Sequence, residues 1–224
     1  MESKIKEFLE NPNLKRPKIA VIGDLMLDEY LLGEVDRISP EDPVPIVSFK
    51  NKISSAGGAG NVAANLCSLE AYALIFGTIG NDTAGKEIIN HLKKNGADTS
   101  KIIRSKKPTI IKQRILGRDK HLLRVDYEDA SEESEDLRKK IFLNFKSVLK
   151  ELDAVIFSDY SKGLISKKLA QDIISLCKKY KKPVFADFKP EHKDFYVNAD
   201  VITPNFKEAV KMAGIEKNLE EIGK

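Results

Sequence analysis

Residues 54–61, Ser54-Ser55-Ala56-Gly57-Gly58-Ala59-Gly60-Asn61, set consecutive glycines directly before an apolar face. That face recurs at Val62, Leu66 and Leu69, the i, i+4, i+7 spacing of a helix. Glycines in such a place let backbone approach a ligand with no Cβ in the way, and the unpaired N–H groups of a helix start face whatever sits there. Close helix–strand packing is the alternative use of the same residues. Acids, amides and lysines recur elsewhere: Asp24 and Asp28; Ser158-Asp159-Tyr160-Ser161-Lys162-Gly163; Asp187 and Lys189; and Thr203-Pro204-Asn205-Phe206-Lys207-Glu208. Any one of these acids serves as readily as a helix cap or turn residue. Gathered on one edge, carboxylates can hold hydroxyl groups, while lysine and a water-bridged Mg²⁺ can neutralise phosphates.

Such gathering needs elements that end together. Ile19-Ala20-Val21-Ile22 is an uninterrupted apolar run, the mark of a strand covered on both faces. Similar runs return at 72–76, 154–157, 184–186 and 201–202, separated by helical patterns over 57–70, 83–95, 135–150 and 166–180, with a further short helix expected over 2–11. Buried strands alternating with helices predict an α/β, doubly wound, mostly parallel sheet with helices on both faces, read as one domain over 1–224. In open sheets of this kind ligands bind beyond the carboxyl ends of the strands, where the polar stretches above fall. Segments of about 27–53 and 102–126 break the alternation and predict a small β subdomain, a lid. Residues 101–124 hold nine Lys or Arg against one acid, and 126–136 hold seven acids and no base. Most such runs are solvated faces. Lys112 and Arg114, at i and i+2, nevertheless put two cations on one strand face, suited to a small anion.

Composition excludes other classes. A net charge of +4 is modest, and the basic stretch has no interleaved aromatics, so nucleic acid is not expected as a partner. Two cysteines, Cys67 and Cys177, read as buried thiols of a reducing, cytoplasmic compartment. No apolar stretch reaches membrane-spanning length. Gly23-Asp24-Leu25-Met26 after the first strand is not the Gly-x-Gly-x-x-Gly of a dinucleotide-binding turn.

With Gly77-Thr78-Ile79-Gly80-Asn81-Asp82, the glycine stretch resembles the first signature of ribokinase-like carbohydrate kinases, and Thr203-Pro204-Asn205-x-x-Glu208 resembles their Asn-x-x-Glu motif. Gly23 to Tyr30, Arg37 to Pro45, Pro108-Thr109, Lys112, Arg114, Ser158-Asp159-Tyr160, Lys162-Gly163 and Asp187 are similar to the D-glycero-β-D-manno-heptose-7-phosphate kinase branch of that family. The resemblance covers residues 17 to 215 or so. It implies ATP-dependent phosphorylation of heptose 7-phosphate at O1, on the way to ADP-heptose and the lipopolysaccharide core. Carried over, Asp28, Gly57, Gly58, Asn61, Lys112, Arg114 and Asp159 bind the sugar phosphate. Asp187, Lys189, Asn205 and Glu208 serve ATP, with Glu208 reaching Mg²⁺ through water. Lid strands in the family often pair between subunits, which implies a homodimer. The sequence reads Asp187-Phe188-Lys189 where the family has Asp-Pro-Lys. His91, His121 and His192 match no functional position and are read as surface or helix residues.

The family's second signature, Gly-Ala-Gly-Asp, does not occur in the sequence. Its Asp is the base that takes the acceptor proton, so none of these residues is assigned as the catalytic base, and a position beyond Lys224 is expected. A general base contributes roughly 10²–10⁴ in rate, so the expectation is binding with low turnover. The alternatives are a sugar-phosphate binding module without catalysis and a related kinase for another sugar.

Overall fold

The computed structural model of the chain describes residues 15–214 except Asp119; the helix expected over 2–11 lies outside them. Five parallel strands form the main sheet: β1 (Lys18–Gly23), β4 (Tyr72–Phe76), β9 (Ala154–Asp159), β10 (Val184–Phe188) and β11 (Val201–Ile202), in the order β11-β10-β9-β1-β4. The chain first builds from β1 to β4 on one side and then returns to β9 on the other, so strand order reverses at β1 and opens a crevice above β1 and β9.

The apolar runs have two faces to cover. Ala20, Ile22, Leu74 and Phe76 point into a core with α3 (Glu135–Val148) and α4 (Lys167–Lys179). Val21, Ala73 and Ile75 point the other way, onto α1 (Ala59–Ser68) and α2 (Thr83–Lys94). The doubly wound sheet is thus present as expected. Cys177 is fully buried in the first core, whereas Cys67 is only half-buried, contrary to expectation. Leu69 also departs: it lies one residue past α1 and is 70% exposed, outside the apolar face assigned to it.

The lid is a four-stranded sheet ordered β3-β2-β7-β8, made of β2 (Leu25–Ile38), β3 (Pro45–Gly58), β7 (Ile110–Gly117) and β8 (Lys120–Tyr127). Its bounds differ from those expected. Residues 54–58 close β3 and do not open a helix; Gly58 is the cap of α1, which starts at Ala59. The segment before β7 is not lid: β6 (Ile103–Arg104) pairs with β5 (Thr78–Ile79) as a separate ribbon. Asp82 pins the start of β7, accepting from Thr109 N–H at 2.8 Å and Thr109 O–H at 2.7 Å while capping α2 through Gly85 N–H. Among the described residues no helix is long and apolar enough to cross a membrane.

Asp24 joins these parts. Its N–H donates to the Ser158 carbonyl at 3.1 Å and its carbonyl accepts from Ala59 N–H at 2.9 Å. Its carboxylate accepts from the N–H groups of Tyr160 at 2.8 Å and Lys162 at 3.2 Å. Burial, and after it the charge of Asp159, push the carboxyl up to about 6 against those two N–H groups. Folding therefore raises this pKa, so its contribution to stability is full below the unfolded value near 4 and is lost as pH rises through about 6. Asp24→Asn keeps an acceptor and removes the charge. Relative to the wild type, the variant is expected to gain about 3 kcal/mol between pH 4 and pH 8. Urea unfolding at both pH values measures this, and a gap that does not widen with pH would refute it.

Candidate active site

On the lid side the site is built by strand register. Asp28 of β2 stands opposite Ser55 of β3 and Lys112 of β7, and Tyr30 stands opposite Arg114. Arg114 donates from Nη1 to Asp28 Oδ1 at 2.6 Å and lies 5.1 Å over the Tyr30 ring. The guanidinium is therefore already engaged by the carboxylate expected to hold hydroxyls. Gly57 makes room for that carboxylate: a Cβ there would sit 2.1 Å from Asp28 Oδ2. Gly58 has φ of 58°, and its missing Cβ would fall 2.4 Å from the Asp24 carbonyl. Helices α2, α3 and α4 are each capped by a side chain (Asp82, Ser134, Ser166), whereas α1 has no side-chain cap and presents the exposed Asn61 in its first turn. The unshielded end of α1 and the Asp28–Arg114 pair meet where β2 and β3 leave the sheet.

The other side is built from β10 and from α5 (Phe206–Ala213). Asn205 and Glu208 form a reciprocal capping box: Asn205 Oδ1 accepts from Glu208 N–H at 3.0 Å, and Glu208 Oε2 accepts from Asn205 N–H at 3.1 Å. The second oxygen of Glu208 accepts from Lys189 Nζ at 2.8 Å. Lys189, then the Asn205 N–H, outweigh burial and hold Glu208 below the usual carboxylate range. Burial, then the Glu208 charge, move the half-buried Asp187 upward. Tyr160 stands between the two sides. Lys189 Nζ lies 5.2 Å over its ring, and its hydroxyl is pushed up by burial first, then by the charges of Asp187, Asp28 and Glu208 against Lys189.

Asp159 is not at the open rim. It is 2% exposed, with Oδ1 accepting from Ser161 N–H at 2.8 Å and Oδ2 from Tyr196 O–H at 2.7 Å, and His192 Nδ1 lies 2.7 Å from Oδ2. Its role in the structure is to hold the rim loop, which corrects its reading as a substrate ligand. His192, read as a surface or helix residue, lies in the 3₁₀ turn of residues 190–195 as the partner of that buried carboxylate. Asp126 and Glu128 join the lid side without having been singled out, and Lys162 of the rim loop joins them: Lys112 Nζ is 3.1 Å from Asp126 and 3.9 Å from Glu128, and Lys162 Nζ is 2.7 Å from Glu128. Lys112 and Arg114 do share one lid face, but both are paired with acids.

The residues present fit a nucleotide with its divalent cation. Lys189 and the start of α5 offer positive charge, and Glu208 offers a carboxylate. Among the described residues no group of three or more His, Cys, Asp or Glu side chains is gathered as a metal cage. A Mg²⁺ here would keep most of its water and take its remaining oxygens from phosphate, its usual habit at such sites.

Known proteins resemble this chain in sequence and in fold. Residues 16–224 match the model of the pfkB family carbohydrate kinase. The chain is 42% identical over 204 residues to the bifunctional protein HldE of Wolinella succinogenes, which covers 91% of this chain and 43% of that protein. It is 42% identical over 191 residues to the HldE of Helicobacter pylori strain J99, over 41% of that protein. The chain thus spans about two-fifths of the length of these relatives. Among solved structures, Arabidopsis thaliana ribokinase complexed with ribose and ATP superposes with a TM-score of 0.68 at 20% identity, over 93% of this chain and 67% of the other. Escherichia coli phosphofructokinase-2 in complex with substrates and products gives 0.72 at 17%, over 92% and 66%. These two likenesses establish a shared ribokinase-like fold. The family match spans nearly the whole sequence, and with it the chain belongs to the pfkB family of carbohydrate kinases.

Proposed function

We propose that the chain binds D-glycero-β-D-manno-heptose 7-phosphate beside ATP·Mg²⁺ and serves transfer of the γ-phosphoryl group to O1, in the cytoplasm, toward ADP-heptose. The observation that carries the reading is the pairing of a hydroxyl-binding carboxylate with cations on one lid face: Asp28 beside Arg114, with Lys112 as its register partner. The 42% identity to proteins named HldE supports the heptose-phosphate branch over kinases for unphosphorylated sugars. In this reading Asp28, the Gly57-Gly58 backbone and Asn61 orient the sugar, and Lys112 and Arg114 meet its phosphate. Lys189 and the Asn205–Glu208 helix start face the triphosphate, whose Mg²⁺ supplies charge neutralisation when bound. The base for the O1 proton is assigned to none of these residues. Turnover by the 224 residues alone is accordingly expected to be low, with binding intact.

Calorimetric titration with heptose 7-phosphate, fructose 1-phosphate and ribose tests the assignment. Heptose 7-phosphate is expected to bind tightest, and Asp28→Ala to weaken it about a hundredfold, as loss of a charged hydrogen-bonding group does. Equal affinity in the variant would overturn the site; preference for another sugar would overturn the substrate.

Glu208→Gln keeps the acceptor of the capping box but loses the charge. Affinity for ATP in Mg²⁺ is expected to fall about tenfold, with little change for ATP in chelator and in the urea midpoint. A variant equally weakened with and without Mg²⁺ would remove Glu208 from the cation's surroundings.

A homodimer through the lid is part of the same proposal. Ile38, Val44 and Phe49 at the outer end of the β2–β3 hairpin are 60%, 52% and 62% exposed, apolar area that a second lid would cover. Sedimentation equilibrium is expected to give twice the chain mass; a monomer at micromolar concentration would exclude this pairing.

A further inference from the structure

Glu128, just past β8, accepts from Lys162 Nζ at 2.7 Å and lies 3.9 Å from Lys112 Nζ. Lys112 comes from the lid strand β7, whereas Lys162 comes from the rim loop after β9. One acid thus bridges ammonium groups from two separate parts of the molecule. The three side chains are sheltered, at 14% exposure for Lys112, 17% for Lys162 and 24% for Glu128, where ionic contacts are screened less than at an open surface. The bridge is uneven. A carboxylate has two oxygens and one charge: Glu128 satisfies Lys162 at hydrogen-bond distance, while Lys112, beyond that distance from Glu128, donates to Asp126 at 3.1 Å. A phosphate monoester has three free oxygens and up to two charges, enough for both lysines at once.

Position points the same way. Lys112 is the register partner of Asp28, one strand away. Lys162 lines a polar cavity of about 20 Å³ with Asp24, Thr78 and Thr109, on the β4 side of the sheet. Asp187, Lys189 and Glu208 stand on the opposite side, on β10, just past it and on α5. The lysine pair and the nucleotide side therefore flank Asp28 from opposite directions. A sugar that turned its reacting hydroxyl to the nucleotide would carry a phosphate at its far end toward Lys112 and Lys162. The charges there are mixed: Lys112, Arg114, Arg124 and Lys162 stand with Asp28, Asp126 and Glu128. Lys107, Asp24, Asp129 and Glu133 line the cavity beside Lys162.

We propose that Lys162 completes, with Lys112, the subsite that distinguishes a phosphorylated from an unphosphorylated sugar, and that Glu128 is its internal competitor, a carboxylate that the substrate's phosphate displaces. This rests on the reading of the acceptor as a sugar phosphate and adds the residues that enforce it. The exchange breaks no covalent bond; one anion replaces another on two ammonium groups, and Glu128 turns to solvent.

The test titrates the 224-residue chain with heptose 7-phosphate and with the same heptose lacking the phosphate. Lys162→Met is expected to weaken the phosphate ester tenfold or more and to leave the free heptose within about twofold. Glu128→Gln is expected to tighten the ester about three- to tenfold, again without effect on the free sugar. If Glu128 were only a strap between lid and sheet, its removal would weaken both ligands, and that result would overturn the proposal. So would a Lys162→Met variant that weakens both ligands equally; if that variant is poorly folded by its urea midpoint, the opposite signs expected for Glu128→Gln still decide. Fructose 1-phosphate and fructose, titrated alongside, separate the two levels of inference. Preference for fructose 1-phosphate that Lys162→Met erases would remove the heptose assignment and keep the subsite. Tight heptose 7-phosphate binding indifferent to Lys162→Met would remove the subsite and keep the heptose. Binding of neither ester by the wild type would overturn both.

Discussion

The site depends on a charged group placed where charge is costly. Asp24 is 3% exposed, and a carboxylate so far from water stays in the fold only with hydrogen-bond donors on it, here two N–H groups on Oδ2. Its partners are the reason for the placement. The side chain holds the backbone of Tyr160 and Lys162, the N–H is tied to Ser158, and the carbonyl receives the first N–H of α1. The rim loop, the glycine turn and the lid's first strand therefore take their positions from one residue. The same loop is gripped from the other side by Arg138, which is 4% exposed and donates to the carbonyls of Gly163 and Leu164. Two buried ions of opposite sign fix the loop through its backbone, leaving the side chains of Tyr160 and Lys162 free to serve the crevice.

If the lid side is the anion cleft proposed above, its ion pairs keep it stable without a ligand. Each cation facing it has an acid: Arg114 has Asp28, Lys112 and Arg124 have Asp126, and Lys162 has Glu128. Unpaired, four cations in a half-sheltered cleft would repel one another and favour opening of the lid. Paired, they stand close to neutrality, and an anionic ligand would have only to exchange with the paired carboxylates.

Much of the framework was legible in the sequence because it follows from burial on two faces. The strand at 72–76 was placed to the residue, since a run such as Tyr72-Ala73-Leu74-Ile75-Phe76 has few alternatives. The errors have local causes. Ser54 to Gly58 contain no β-branched residue, and their strand conformation is imposed by pairing with Leu25 to Glu29, a tertiary contact that no local pattern reveals. Asp159 looked like a rim residue, yet alternation at the end of β9 turns it inward, onto Tyr196 and His192. The acids at 126 and 128 were hidden in a block read as a solvated face; only the register of β7 against β8 brings Asp126 opposite Lys112. His192 gave no signal, because a single 3₁₀ turn after Pro190 has no periodicity to read.

The Asn-x-x-Glu motif shows why fold and chemistry are hard to separate here. As a capping box it satisfies the first amides of α5, and Glu208 gains further from the positive end of the helix. Those features would stabilise any helix. At a phosphate site, however, the same carboxylate is a problem, since it repels the anion that the helix end attracts. The conflict is resolved by a cation between the two. Lys189 holds that position against Glu208 Oε1, and a hydrated Mg²⁺ bound to a triphosphate would do so with twice the charge. In the proposed reading, the acid that starts the helix is thus accommodated beside phosphate by the cation that lies between them.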